Sequence, residues 1–385
     1  MANTKTHKFL SKINDVLLIC AVTALCCTIL IFSDIISSGI LSGIKTCVNV
    51  LIPSLFPFMI ISSFIIQSGL SEKIGKIISP ITKTFFNLPG AAGATIILSF
   101  IGGYPVGANG IESLVQKNII NKEQANRMIA FCVGAGPAFI INVVGNNLLK
   151  NKSIGNTIFI SQLFASILIG IFLGVRSKIH GNKVEERKPQ NLNSDNICNS
   201  FVKSCLNSAD SLMNMCVFVI IFSSIISLVY NTHIFFTINN LFKNFHIPQK
   251  YCNCIIPAIL EVTMGAIQSV NNLLPIEFLT FGVSWAGICV HFQVLSSLKS
   301  IKLPYHKFVL QRLVHSIISA LICHNILSLS EHPKSVFSNT QGVLDPSISS
   351  NLNGGINIFL ICAIFIVVIT LKISSKEKNN KHPPA

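Results

Sequence analysis

The sequence predicts an all-α polytopic membrane protein with about eight transmembrane helices and two re-entrant hairpins arranged as an inverted repeat. Half of its 385 residues are hydrophobic and 11% are charged, whereas soluble domains carry about 25% charged residues. Apolar stretches long enough to cross a bilayer recur along the chain, and two shorter ones are interrupted. The net charge of +15 is concentrated in alternate loops, which is typical of membrane topology and not of nucleic-acid binding.

The first interrupted stretch is the most informative part of the chain. It runs from Ser99 to Gly110 and holds four glycines and a proline. Broken backbone is tolerated at mid-membrane depth only where protein or a water-filled cavity satisfies the freed N–H and C=O groups. In secondary transporters such breaks mark the substrate site, because half-helix ends point their dipoles at the ligand. The alternative is a tight turn between two ordinary helices.

The remaining spans follow from hydropathy. A first apolar stretch near residues 16–33 follows three lysines, and we interpret it as a retained helix because it is long enough to cross a bilayer and shows no obvious cleavage site. Further full spans are expected near 44–67, 128–148, 153–175, 207–230, 275–297, 308–329 and 355–373, with interrupted pieces at 90–115 and 251–272.

Composition shifts divide the chain into six parts. These are an N-terminal transmembrane helix (1–40), a first repeat (41–175), a polar linker on the cytoplasmic side (176–200), a second repeat (201–330), a polar loop (331–354), and a C-terminal transmembrane helix with a basic tail (355–385). Neither polar segment is long enough for a soluble enzyme domain, and the linker cannot bury a core of its own.

An internal repeat connects the two halves. Residues 44–49 match residues 202–207 at an offset of 158, with Lys, Cys and Asn identical. Further along, Gly103 pairs with Gly265 and Phe131 with Phe281, in the same order. Three crossings per repeat would place the second half upside down relative to the first.

Charge distribution supports the hairpins. If 90–115 and 251–272 are re-entrant, both termini lie inside and 23 of the 29 lysines and arginines fall in inside loops. If both pieces crossed fully, the split would become 18 inside and 11 outside. The positive-inside rule therefore favours two hairpins.

A few polar side chains within the apolar regions are candidates for binding. Glu261 lies in the second interrupted piece, and an intramembrane carboxylate is a functional candidate by default because it is costly; the alternative is a solvated surface residue. Tyr104 lies at the first break and either contacts an aromatic ligand or is an interface aromatic. His291 is either a ligand or, as helical histidines more often are, a packing residue. Glu112 is expected to face water.

The motifs also exclude several classes. There is no G-x-S-x-G, P-loop or HExxH motif, so nothing indicates a hydrolase or an ATP-driven pump. The thirteen cysteines form no CxxC pair and most stand singly in apolar runs, which argues against a metal site or a disulfide framework. We therefore expect no enzyme activity, no cofactor and no bound metal.

Three blocks carry a resemblance to a known family. At Phe100–Ala108, Leu260–Gly265 and Gly287–Gln293 the chain resembles the YlbJ (SpoVV) family of sporulation integral membrane proteins, which contain the Gate, or nucleoside-recognition, domain. The resemblance spans roughly residues 40–330. Together with the broken segments, it implies substrate-binding residues in these blocks: Gly102, Gly103, Tyr104, Pro105, Gly107, Glu261, Thr263, Gly265, His291 and Gln293.

The resemblance also implies a function. It suggests a transporter in the outer forespore membrane, or otherwise the cell membrane, that moves dipicolinic acid from the mother cell toward the forespore. Dipicolinate is a planar aromatic dianion, and half-helix N-termini supply N–H groups for an anion without buried Lys or Arg. The alternatives are a transporter of another small molecule such as a nucleoside, or a sporulation membrane scaffold. The expected partners are this anionic substrate and the lipid bilayer, with no nucleic acid; a homo-oligomer is compatible with the sequence.

Overall fold

The computed structural model describes residues 2–181, 196–301 and 303–329, and the described residues are helical throughout their regular structure. Five helices in these ranges are long and apolar enough to cross a membrane: Ser33–Gln67, Lys152–Ile179, Ile197–Tyr230, Ile276–Ser297 and Tyr305–Leu329. The predicted polytopic, all-α class is therefore confirmed. The polar loop 331–354, the last span and most of the linker lie outside the described residues.

The described part of the first half contains eight helices in chain order, and a short π-helical segment, Thr82–Phe86, extends the third of them. They are α1 (Ala2–Ile31), α2 (Ser33–Gln67), α3 (Leu70–Ile81), α4 (Ala92–Gly102), α5 (Tyr104–Gln116), α6 (Lys122–Cys132), the π-helical α7 (Ala138–Leu148) and α8 (Lys152–Ile179). The second predicted span starts eleven residues earlier than expected, at Ser33 instead of 44. The polar turns before residue 44 are also helical, because Gly39 and Gly43 allow them to pack closely against a later helix.

Within the described residues, the second half repeats this order from α2 onward. Its helices are α9 (Ile197–Tyr230), α10 (His233–Asn244), α11 (Gln249–Leu260), α12 (Val262–Asn271), α13 (Ile276–Trp285), α14 (Gly287–Ser297) and α15 (Tyr305–Leu329). Each half thus contains a long helix, a short amphipathic helix, a helical hairpin, a broken helix and a second long helix. The broken helices, α6–α7 and α13–α14, correspond to the spans predicted at 128–148 and 275–297.

Equivalent long helices run in opposite directions. Along α2 and α9, Gly43 lies against Ile220, whereas Phe64 meets Phe201 with ring centroids 5.9 Å apart. Along α8 and α15, the side chain of Ser161 is hydrogen-bonded to Cys323. The side chain of Ser166 is hydrogen-bonded to His315 at 2.9 Å. In both pairs the residue number rises on one helix as it falls on the other. The second half is therefore inverted relative to the first, as the sequence predicted.

The core joins the two halves. Buried side chains from α5, α6 and α7 form one continuous cluster with those of α13, α14 and α15. A second cluster lies where α2 crosses α9 and includes Leu51, Met215 and Val219. Because apolar residues of both halves share these clusters, the hairpins and broken helices are held against each other at the centre of the molecule.

Candidate substrate site

The first hairpin reverses direction at Gly103. This residue has φ 78° and ψ −162°, a backbone conformation that side chains other than glycine rarely adopt. The two arms are antiparallel, because a Cβ at Gly110 would meet Thr95 and a Cβ at Gly102 would meet Val106. The glycines therefore allow the arms to pack closely, and the predicted break is a hairpin.

The second hairpin reverses direction at Glu261. Its arms pair in the same way, since a Cβ at Gly265 would lie 2.6 Å from the Cα of Ala258 and the Cys254 thiol bonds the Gln268 carbonyl. Glu261 is 1% exposed, and its carboxylate accepts hydrogen bonds from the backbone N–H groups of Thr263 at 2.9 Å and Met264 at 2.7 Å. This carboxylate therefore caps the N-terminus of α12 deep inside the protein and does not lie at the surface.

Each hairpin tip rests on the break of the broken helix in its own half. A Cβ at Gly103 would be 2.9 Å from the backbone N of Gly136, in the break between α6 and α7. A Cβ at Gly287, which starts α14 with φ 73°, would be 2.9 Å from the backbone N of Glu261. Backbone meets backbone at both places, so only glycine fits there. The two halves thus build the same junction.

Polar side chains satisfy the carbonyls that the breaks leave free. In the first half, fully buried Arg312 of α15 donates to the carbonyls of Val133 and Ala130, the latter at 2.5 Å, at the C-terminal end of α6. Gln162 of α8 donates to the Ala135 carbonyl at 3.2 Å. These contacts meet the requirement that freed backbone groups be paired inside a membrane.

The second break is satisfied differently. The hydroxyl of Tyr104, at the tip of the first hairpin, donates to the Val283 carbonyl at 2.6 Å, and His291 Nε2 donates to the Trp285 carbonyl at 2.9 Å. The Tyr104 bond therefore joins the two halves of the molecule, and its hydroxyl is already engaged.

Both tips face one small central pocket of about 30 Å³. Fifteen residues line it: Leu51, Leu55, Gly102, Gly103, Tyr104, Pro105, Gly136, Phe139, Met215, Val219, Glu261, Val262, Thr263, Val290 and Gln293. Such a volume accommodates only about one or two water molecules. A ligand the size of dipicolinate therefore requires the hairpin tips or their neighbours to move apart.

A larger polar cavity, which we call the vestibule, leads toward this pocket from one end of the molecule. It measures about 320 Å³ and is lined by the ends of α2, α5, α9 and α14, including Asn109, Glu112, Asp210 and Lys299. A third, narrow cavity of about 10 Å³ shares Ser211 and Asn214 with the vestibule and Tyr104 and Gln293 with the central pocket. The vestibule is thus separated from the pocket by one constriction.

The opposite end of the α2–α9 crossing is tightly packed. A Cβ at Gly39 would lie 2.6 Å from the Cα of Ser224, and one at Gly43 would lie 2.7 Å from the Cα of Ile220. Small residues allow these two helices to touch along their backbones there. The structure is therefore more open on the side of Lys299, which the charge distribution predicts to be cytoplasmic.

The predicted site residues divide into two groups. Seven line the central pocket: Gly102, Gly103, Tyr104, Pro105, Glu261, Thr263 and Gln293. The other three, Gly107, Gly265 and His291, do not. The two glycines allow close packing within and beside the hairpins. The His291 ring packs between Trp285 and Phe308, with centroid distances of 4.4 and 5.0 Å, which corresponds to its packing interpretation.

Three details differ from the sequence-based expectations. Arg312, one of the 23 basic residues that the charge distribution assigns to inside loops, is fully buried within α15, so a buried arginine does lie beside the first helix break. Glu112 does not simply face water; it is 6% exposed and accepts bonds from the backbone and hydroxyl of Ser300. Gly103 is structurally equivalent to Glu261, since both are the residue before the second hairpin arm, and not to Gly265.

These features define a polytopic membrane protein built from two inverted halves. Two inverted halves bring helical hairpins and broken helices to one buried pocket, an arrangement that secondary transporters use to build substrate sites.

Comparisons with known proteins agree with an integral membrane protein. Residues 48–146 match the family model Gate, described as nucleoside recognition. The chain is also similar to the sporulation integral membrane protein YlbJ of Bacillus subtilis (strain 168), with 22% identity over 341 residues that cover 81% of this chain and 82% of the relative. The resemblance recognised in the sequence is thereby confirmed. No solved structure matches the chain.

Proposed function

We propose that this protein is a sporulation integral membrane transporter that moves dipicolinic acid from the mother cell toward the forespore, across the outer forespore membrane. The observation that supports transport most directly is the convergence of both hairpin tips on one central pocket, with a polar vestibule leading toward it from one side. The similarity to a sporulation integral membrane protein supports the biological setting.

The proposed mechanism is alternating access. Substrate enters the vestibule from the cytoplasmic side, passes the constriction beside Tyr104 and Gln293, and occupies the central pocket once the tips separate. Separation of the tightly packed α2–α9 end around Gly39 and Gly43 then opens the other side. Because the two halves are inverted copies, one rocking motion can exchange the open and closed ends.

The experiment that tests this function is a deletion of the gene in its sporulating host. We expect the cells to synthesise dipicolinate, to accumulate it in the mother cell, and to form spores depleted in it. The wild-type gene supplied in trans should restore the spore content. Deletion spores with a normal dipicolinate content would contradict the proposal.

A second candidate is transport of a nucleoside, which is favoured by the description of the matching family model. Purified protein in liposomes distinguishes the two. Uptake of a labelled nucleoside that unlabelled dipicolinate does not inhibit would favour this candidate.

A further inference from the structure

A group of basic residues lies along α3 and its π-helical extension and continues onto the end of α8. The extension and α8 touch along their backbones, because a Cβ at Gly174 would lie 2.8 Å from the Cα of Phe86. Lys178 Nζ also donates to the Thr84 carbonyl at 2.6 Å. We call the basic residues of these elements the basic patch: Lys73, Lys76, Lys83, Arg176 and Lys178.

The patch lies among apolar side chains that point away from the protein. On α8, Arg176 shares a helix face with Phe172 and Ile179, which are 64% and 78% exposed. On α3, Lys73 shares a face with Ile77, which is 81% exposed. In a chain that spans a membrane, such apolar faces lie against lipid, and long basic side chains beside them extend to the level of the headgroups.

The opposite face of α3 is occupied by protein. A Cβ at Gly75 would lie 2.8 Å from the Cα of Ala91, which directly precedes the first hairpin. One face of α3 therefore rests on the hairpin and the other is available to lipid. This is the arrangement of an amphipathic helix that lies in the membrane interface.

The protein supplies little negative charge of its own at the patch. Glu72 is the one carboxylate in residues 70–86, and the sequence of α8 contains none. Glu72 also interacts electrostatically with Lys117, outside the patch. Five basic residues therefore face a single carboxylate, and the patch is complementary to an anion.

Neither the packing of the fold nor the topology explains the patch. The inverted half builds the same elements, and its short helix α10 also exposes an apolar residue, Phe236. Yet α10 contains one lysine, and Cys323–Leu329 at the end of α15 contain no lysine or arginine. The positive-inside rule requires basic residues on the cytoplasmic side, but it does not require them on lipid-facing helix surfaces.

We infer that the basic patch binds the headgroup of an anionic phospholipid, whose acyl chains lie along the exposed apolar residues of α3 and α8. Arg176 and Lys178 donate to the lipid phosphate, and the arginine fork can do so with two parallel hydrogen bonds. Each basic residue near the membrane surface attracts anionic lipid, so several together select it over zwitterionic lipid. The inference is independent of which substrate the protein transports.

A lipid titration of the purified full-length protein, followed by native mass spectrometry, tests this site. The probes are phosphatidylglycerol and phosphatidylcholine with identical acyl chains, which differ in the net charge of the headgroup. We expect phosphatidylglycerol to bind at least about tenfold more tightly at low ionic strength, and added salt to reduce this preference.

Two triple variants with equal loss of charge locate the site. Removal of three exposed basic residues of the patch should weaken phosphatidylglycerol binding by on the order of 100-fold: Lys73→Gln, Arg176→Gln and Lys178→Gln. The matched control removes three exposed lysines at the far end of α8 and the start of α11, and should change the affinity by less than about threefold: Lys150→Gln, Lys152→Gln and Lys250→Gln. Both variants should unfold like the wild type in lipid-free detergent, because all six side chains are exposed.

A phosphatidylglycerol that carries a photoreactive group in an acyl chain provides an independent readout. We expect the label to concentrate in peptides that contain residues 77–85 and 172–179. An even distribution over the exposed faces of α2, α8 and α9 would overturn the site.

The binding measurements can also contradict the inference. Equal affinities for the two lipids, or an equal loss of affinity in the two triple variants, would show that the patch does not select an anionic headgroup. Tight binding of polyglutamate without a preference for phosphatidylglycerol over phosphatidylcholine would assign the patch to an acidic protein segment and would also overturn it.

Discussion

Replacement of Arg312 by methionine tests whether this buried side chain holds the first helix break together. Its guanidinium donates to the carbonyls of Ala130 and Val133 and is fully buried. A buried carbonyl that loses its partner costs about 1–3 kcal/mol, so two cost about 2–6 kcal/mol. Removing the buried charge recovers part of this cost, because a buried charge is itself expensive. The recovery is only partial, because the negative end of the α6 dipole already stabilises the guanidinium. We expect a net destabilisation of about 2–4 kcal/mol.

The chain offers a matched control in Arg127. This arginine also donates to two backbone carbonyls, those of Phe86 and Asn87 at 3.2 and 3.0 Å, but it is only half-buried. Water can reach its partners once the side chain is shortened, so Arg127→Met should cost less than about 1 kcal/mol. The two substitutions remove the same side chain and the same number of hydrogen bonds, and differ in burial.

The assay combines global and local measurements. Thermal unfolding in detergent, followed with a thiol-reactive dye, reports the loss of tertiary structure through the buried cysteines. Maleimide labelling of Cys132 under native conditions, resolved by peptide mass spectrometry, reports local opening beside Val133. A loss of about 3 kcal/mol corresponds to labelling on the order of 100-fold faster. If Arg312→Met unfolds like the wild type and labels no faster than Arg127→Met, the guanidinium does not support the break.

Three further predictions concern topology, the first tip and the carboxylate. Single cysteines at Thr84 and Asn118, both exposed at the ends of the first hairpin region, should be labelled from the cytoplasmic side; labelling from opposite sides would exclude the re-entrant hairpin. Gly103→Ala should abolish transport, because its Cβ would lie 2.9 Å from a backbone nitrogen at φ 78°, whereas Gly282→Ala, with 3.8 Å to the nearest atom, should be active; equal activities would refute this. Glu261→Gln should stop net transport while abundance is unchanged, if the carboxylate carries a coupling proton or cation; wild-type flux would assign it to capping alone.

The sequence by itself determined the class of the protein and the places of its two hairpins, but not the breaks within the spans predicted at 128–148 and 275–297. Length and hydropathy suffice to identify membrane helices, because a bilayer requires about twenty apolar residues for each span. The first break could be found because the glycines around Gly103 act on the backbone locally. The charge distribution and the repeat of residues 44–49 also indicated an inverted architecture, since both are read along the chain without any tertiary contact.

Only the tertiary structure decided which residues meet at the site. The equivalence of Gly103 and Glu261 is not visible in the sequence, because the residues around them are not identical at any matching position. It follows from the structure, in which each residue directly precedes the second arm of its hairpin. The burial of Arg312 is not visible in the sequence, because its two acceptors lie about 180 residues away along the chain. The sequence leaves the role of His291 open, because its packing against Phe308 depends on another helix. Such long-range pairings arise from the packing of the two halves, and local residue patterns do not encode them.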